Sequence, residues 1–391
     1  MEKDNIKLFK PKRKISIKKI VIISILLLIV VGVIVLYNFL PPFQEFSDKY
    51  IFRKEVSQSD VQAISINSEE YNSVCAFDRY IVIMKKSSIE GYTSGTRKAF
   101  SVDVTINNPI FDSEGRFLLV AEKNGQKVCI ISNENILWQK SLEGEITGVS
   151  INKNGYSAII LKQASYKSVI IVLDPDGKEL FTTYLASTFA IDVNISNDNK
   201  YLAIAEVNSN GSTSKSNIKI ISIEKAKNLP LESVVNTFES EAGELITGIK
   251  YQDKNKLVSM YNDKINLIHN NENNTIYELS DSNISFADIQ LNGSIVIAKD
   301  ISSGLFSAQT ELKIIDIDNN KEIIYSLDNV AKSLYTKNNI IAINMGTEVR
   351  FLNSMGWLIR RYTSRQEIKD ILLFNNAAGI IYRDKIEIVN L

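Results

Sequence analysis

A short polar turn between two β-branched runs recurs along most of this chain, and its spacing limits the fold more than any other feature. It occurs at 77–79 (Phe77-Asp78-Arg79), 112–115, 152–155 and 196–199, and again at 253–255, 291–293, 337–339 and 375–376. Successive copies lie about 37–45 residues apart, with one interval near 56, the period of a four-stranded propeller blade. Runs rich in Val, Ile and Tyr, bounded by Asn, Asp and Gly, read as strands and hairpins.

Each copy continues alike: a strand after the turn (FLLVAE, YLAIAEV), a variable loop, a second strand (VCIIS, VIIVLD), then another tight turn. In Asp174-Pro175-Asp176-Gly177 the proline presets one turn dihedral and the glycine takes the positive one. An outermost strand such as ILWQKSL or WLIRRYT follows. The pattern is strands a–b–c–d of a blade, repeated eight times. The eighth copy, 368–391, stops after three strands, and the orphan run 61–66 (VQAISI) supplies the missing outer strand, which removes an exposed edge. The expected fold is all-β: an eight-bladed β-propeller, or seven-bladed if the degenerate first copy at 72–105 is misread, with one N-terminal transmembrane α-helix.

That helix is the uncharged run 20–37, IVIISILLLIVVGVIVLY. Eighteen residues at about 1.5 Å each reach roughly 27 Å, close to the thickness of a bilayer's hydrocarbon core. Eight basic residues and two acidic ones precede it, so the N-terminus is expected in the cytoplasm and the bulk of the chain outside. No small-x-small cleavage site follows, and the segment reads as an uncleaved signal anchor rather than a signal peptide. The expected organisation is a cytoplasmic tail 1–19, a membrane helix 20–40, a connector 41–60 and a propeller 61–391. Phe43, Phe46, Tyr50 and Ile51 follow a helical spacing, read as an interfacial helix or the top of a bent membrane helix, and 58–60 reads as the last flexible point.

With 45 basic and 45 acidic residues overall, removing the tail leaves the remainder near −6. A mildly acidic domain argues against nucleic-acid partners, which need a basic footprint. Cys75 and Cys129 sit in apolar runs and read as two separate buried thiols. His269, the one histidine, reads as structural. No zinc spacing, phosphate-binding glycine loop or complete calcium loop is present, so no cofactor and no catalytic residue are assigned.

Function tends to sit on loops carried by a rigid scaffold. The b–c loops read as 89–97, 163–167, 207–216 and 301–309, with Tyr92, Arg97, Tyr166, Asn208, Lys215 and Phe306 as candidate binding residues. Arg360, Arg361 and Arg365 form a candidate basic cluster for an acidic partner or wall polymer. If the tether joins at the start of a d strand, the b–c loops point away from the membrane. The expected function is a non-enzymatic binding or scaffold module of the cell envelope, its partner a protein or cell-wall polymer. A carboxylate-based hydrolase with channel-lining acids, a quinoprotein-like enzyme and a sensor signalling through the helix are the alternatives.

The turn-then-Trp arrangement in Asn133-Glu134-Asn135-Ile136-Leu137-Trp138 and Asn353-Ser354-Met355-Gly356-Trp357 resembles quinoprotein-like and WD40-like repeats. Active quinoproteins bring adjacent cysteines and a calcium-binding acid set, which Cys75 and Cys129 do not supply, so this resemblance implies fold alone. End to end, with its basic tail, single anchor, Pro41-Pro42 connector and degenerate blades, the chain is similar to an uncharacterised family of membrane-anchored propeller proteins from clostridia-like bacteria.

Overall fold

A computed structural model describes residues 17–40, 43, 46–67, 70, 73–211, 213–302 and 308–391. It divides into two units, Met1–Glu55 and Val56–Leu391. The tail 1–16, Pro41 and Pro42 lie outside the described residues.

In the first unit, helix α1 spans Ile17–Phe39. Its side chains from Val21 to Leu36 are apolar almost throughout and all exposed, so no polar face separates core from water as on a globular helix. Among the described residues, no helix is long and apolar enough to cross a membrane. A π-helical turn, Ser47–Ile51, stands where the aromatic spacing suggested a regular helix. A polar triad fixes it to the end of α1: Tyr37 Oη donates to Asp48 at 2.6 Å, and Lys54 Nζ donates to Tyr37 Oη at 2.7 Å. Lys54 also pairs with Asp48 at 2.9 Å.

The second unit is an eight-bladed β-propeller. Its blades occupy 74–103, 109–141, 145–185, 189–239, 246–278, 284–326, 333–363 and 370–390, each an antiparallel sheet in chain order. An apolar cluster fills every interface between neighbours. One joins blades 1 and 2 through Val82, Phe100, Leu118 and Val120, and another joins blades 8 and 1 through Ile81, Ile83, Phe374 and Ile386. A strand packed on both faces must be apolar at every position, whereas a half-exposed one alternates. Strand b of blade 2 (Phe117–Glu122) is accordingly buried from Phe117 to Ala121, while strand d (Asn135–Ser141) alternates exposed with half-buried.

The ring closes as the sequence implies. Gln62–Ser65 pairs antiparallel with Lys385–Asn390, setting Gln62 opposite Ile388 and Ile64 opposite Ile386, and becomes the outer strand of blade 8. Two features depart from expectation. Residues 58–60 are not a flexible point: Gln58–Asp60 is a 3₁₀ turn held by a capping box between Ser57 and Asp60. Gln58 Nε2 donates to Glu387 Oε1 at 2.9 Å, at the edge of a buried Tyr362–Tyr382–Glu387 network. From Val56 the chain also adds a short fifth strand beside strand d of blade 7, and so runs along that blade's outer edge before reaching the closing strand.

The long interval between turns four and five has a simple cause. In blade 4 the c–d connection is not a tight turn but a helix, α2 (Ile223–Asn228), and a 3₁₀ turn, Pro230–Glu232. Ser222 caps α2, its Oγ accepting from the Lys225 amide, and Ile223 and Ala226 anchor it to the core.

Candidate functional site

Antiparallel blades give the disc two rims, one built from a–b and c–d turns, the other from b–c and d–a connections. On the second rim, blades 3 and 4 expose an aromatic ledge. Tyr166 opens strand c of blade 3 (Tyr166–Leu173), Tyr184 lies near the end of its strand d (Glu179–Leu185), and Phe189 opens strand a of blade 4 (Phe189–Ile195). The Tyr166 and Tyr184 rings lie 4.7 Å apart, and Lys167 Nζ stands 4.8 Å from the centre of the Phe189 ring. Ser168 Oγ accepts the Ala190 amide at 3.0 Å and ties the two blades together beneath the ledge. Tyr166, Tyr184 and Phe189 are 37%, 54% and 41% exposed, so each ring keeps an open face while its backbone is fixed in a sheet.

Of the sequence candidates, Tyr166 belongs to this ledge. Asn208 and Lys215 flank the b–c loop of blade 4 on the same rim, where Asn208 Oδ1 accepts the Asn210 amide at 3.0 Å. Phe306 lies outside the described residues. Tyr92 and Arg97 are a correction: 89–97 is not a b–c loop but strand c of blade 1 (Ser88–Thr93) and the c–d turn after it. They stand on the opposite rim, where Tyr92 Oη donates to Glu90 at 2.6 Å. The glycine that suggested a loop, Gly91, is in a strand because a Cβ there would lie 1.9 Å from the Phe100 ring.

The arginine cluster also separates. Consecutive strand residues point to opposite faces, so Arg360 and Arg361 diverge: Arg360 Nε donates to the Asn390 carbonyl at 3.3 Å, and Arg361 pairs with Glu348 at 2.8 Å. Glu348 also holds the buried Arg350 at 2.9 Å, and Arg365 uses its amide on Gln58.

The central channel carries a second constellation that no local pattern signals. Strands a of blades 2 (Pro109–Glu114) and 4, and that of blade 6 (Ile284–Asp288), present Asp112, Asp192 and Asp288. Each reaches the next blade: the Ile151 amide donates to Asp112 Oδ2 at 2.8 Å, the Ile249 amide to Asp192 Oδ2 at 2.9 Å, and the Thr336 hydroxyl to Asp288. Burial pushes the Asp192 carboxyl up to about 6, and raises Asp112 and Asp288 above the usual carboxylate range.

Two lysines span the channel. Lys250 of blade 5 pairs with Glu114 of blade 2 at 3.1 Å, and Lys337 of blade 7 donates to Ser113 Oγ of blade 2 at 3.1 Å. They border a cavity of about 290 Å³ at the a–b end of the channel. Cys75 lines this cavity; it and Cys129 are free, buried thiols whose burial raises each to about 12, far from a reactive thiolate. Among the described residues, His269 Nδ1 meets the Asn255 carbonyl alone, at 3.3 Å, near the end of its strand. Among the described residues, no group of three or more His, Cys, Asp or Glu is placed to hold a metal ion.

An eight-bladed propeller with an aromatic rim and an ion-paired channel is the class these features define. The chain belongs to a family of unknown function, DUF5711, whose model matches residues 52–391. No curated protein matches it by sequence. Among solved structures it is similar to BamB from Moraxella catarrhalis, at 12% identity and TM-score 0.50 over 85% of this chain and 100% of that one. It is also similar to apo AztD from Citrobacter koseri (12% identity, TM-score 0.47, 78% and 87% covered). The β-propeller domain of Cps50 (Swd1) from Myceliophteria_thermophila matches at 12% identity and TM-score 0.46, with 85% and 99% covered. At these identities the likeness is one of fold.

Proposed function

We propose that this protein is a non-enzymatic binding module of the bacterial cell envelope, held at the membrane by the apolar segment 20–37, which docks a partner protein on its aromatic ledge. The anchor rests on the uncharged stretch 20–37 behind a basic flank, its side chains exposed from Val21 to Leu36. The observation that carries the binding role is the set Tyr166, Tyr184 and Phe189, rigidly held yet open to solvent. Tyrosine pairs a large apolar face with a polar tip at little conformational cost and recurs as an interface anchor. The channel carboxylates speak for a scaffold rather than a hydrolase, because Asp112 and Asp192 each accept two backbone amides across or within blades.

Photo-crosslinking in living cells tests this. A photoreactive residue at Tyr184 should trap one specific envelope protein. The same probe at Trp357, exposed on the opposite rim, should not. With the probe kept at Tyr184, replacing Tyr166 and Phe189 with serine should abolish the adduct and cost about 1–3 kcal/mol of stability in all, as befits half-buried side chains. The same adduct from both positions, or none from Tyr184, refutes the choice of surface.

A further inference from the structure

The two channel lysines are not equivalent. Lys250 is neutralised by Glu114 at 3.1 Å. Lys337 donates to the neutral Ser113 Oγ, whose own proton goes to the Ala76 carbonyl at 2.8 Å, and makes no ion pair among the described residues. Asp112, the acid that acts on it most strongly, already accepts the Ser113 and Ile151 amides, each at 2.8 Å. Lys337 is thus a largely desolvated ammonium with donor capacity left over, and burial lowers its hold on the proton. Gln290, Asn292 and Asn338 border the same cavity of about 290 Å³, and none of their side-chain amides has a hydrogen-bond partner among the described residues. Asn292 and Asn338 are held in place through their backbones, the Asn292 amide donating to the Asn338 carbonyl at 2.8 Å.

A concave, partly buried cavity with a few converging polar groups is the ordinary form of a small-molecule site. We propose that the a–b end of the channel binds a small organic monocarboxylate, its carboxylate on Lys337 and the amides of Gln290, Asn292 and Asn338. An ammonium with no direct ion pair among the described residues matches a single negative charge. Asp112 and Glu114 on the facing wall repel a phosphate dianion and accept instead from a hydroxyl or amino group elsewhere on the ligand. The site lies on the rim opposite the aromatic ledge and stands independently of the partner proposed there.

Isothermal calorimetry on the full chain in detergent at pH 7, with L-lactate and inorganic phosphate as separate probes, reads the outcome. Saturable lactate binding is expected, weakened at least tenfold in Lys337→Met and unchanged in Lys127→Met, which removes a lysine away from this cavity. Should Lys337→Met fail to fold by circular dichroism, the paired Gln290→Ala and Asn292→Ala substitutions, both at exposed positions outside the strands, carry the test with a several-fold loss expected. Absence of lactate binding, binding indifferent to these changes, or binding of phosphate alone would each overturn the assignment.

Discussion

Asp192 offers the most quantitative check on the channel. Its Oδ1 accepts the Val193 amide at 2.8 Å and its Oδ2 the Ile249 amide at 2.9 Å, both of which favour the carboxylate. Burial opposes them and prevails, helped by nearby Asp112, and moves the carboxyl from the ordinary 3.8 to about 6. A carboxyl raised in the folded state binds its proton more tightly there than in the unfolded chain. Its penalty is therefore absent below about pH 3.8, grows between 3.8 and 6, and is complete above 6. At 1.36 kcal/mol per unit, the shift of about two units is worth up to about 3 kcal/mol at pH 7. Asp192→Asn removes the titration but strands one backbone amide, a constant cost of about 1–3 kcal/mol. Urea unfolding of both proteins from pH 4 to pH 8 separates the two effects. The wild type should lose ground steadily to the variant across pH 4–6, by about 2 kcal/mol, and the gap should then level above pH 7. Parallel curves would mean that the channel hydrates Asp192 fully, and the account of its burial would fail.

Two further outcomes follow from the fold. Removing residues up to Asn67 takes away the closing strand and uncovers the backbone edge of Lys385–Asn390; size-exclusion chromatography should show self-association where a chain beginning at Val56 stays monomeric. Gly177→Ala meets both a positive φ of 78° and a Cβ position 2.7 Å from Trp138; it should cost about 2–4 kcal/mol by denaturation, and much less when Trp138 is also Leu, since that ring then no longer fills the space.

β-Branched apolar runs and Asn/Asp/Gly turns repeat every forty or so residues, so blade number, strand order and ring closure were all readable from the chain. So was the rim that carries Tyr166, because strand direction fixes which loops share a side. Blade 1 misled the eye, since the Gly91 and Ser94-Gly95 composition resembles a loop while Gly91 in fact makes room for Phe100 inside a strand. The arginines misled for the opposite reason: adjacency along a strand separates side chains rather than gathering them. The channel ions carried no local signal, for Lys250 meets Glu114 136 residues away and Lys337 meets Ser113 224 residues away. A trace does exist in the inner strands Ile146-Thr147-Gly148-Val149-Ser150-Ile151 and Ile246-Thr247-Gly248-Ile249-Lys250-Tyr251, which share their Ile-Thr-Gly opening and a register shift ahead of the glycine. The second holds lysine where the first holds serine.

Pairing Gln62 with Ile388 also sets a schedule for biogenesis. More than three hundred residues of later sequence must leave the ribosome before the closing strand finds its mate. Until then seven nascent blades stand in an open arc whose first flank has no neighbour, although each adjacent pair already shares an apolar seam. Closing so long a loop costs little more in chain entropy than closing a short one, but it cannot happen early. The arc is the form in which a chaperone, or a second copy of the same chain, would meet this protein, and the last blade made ends that exposure.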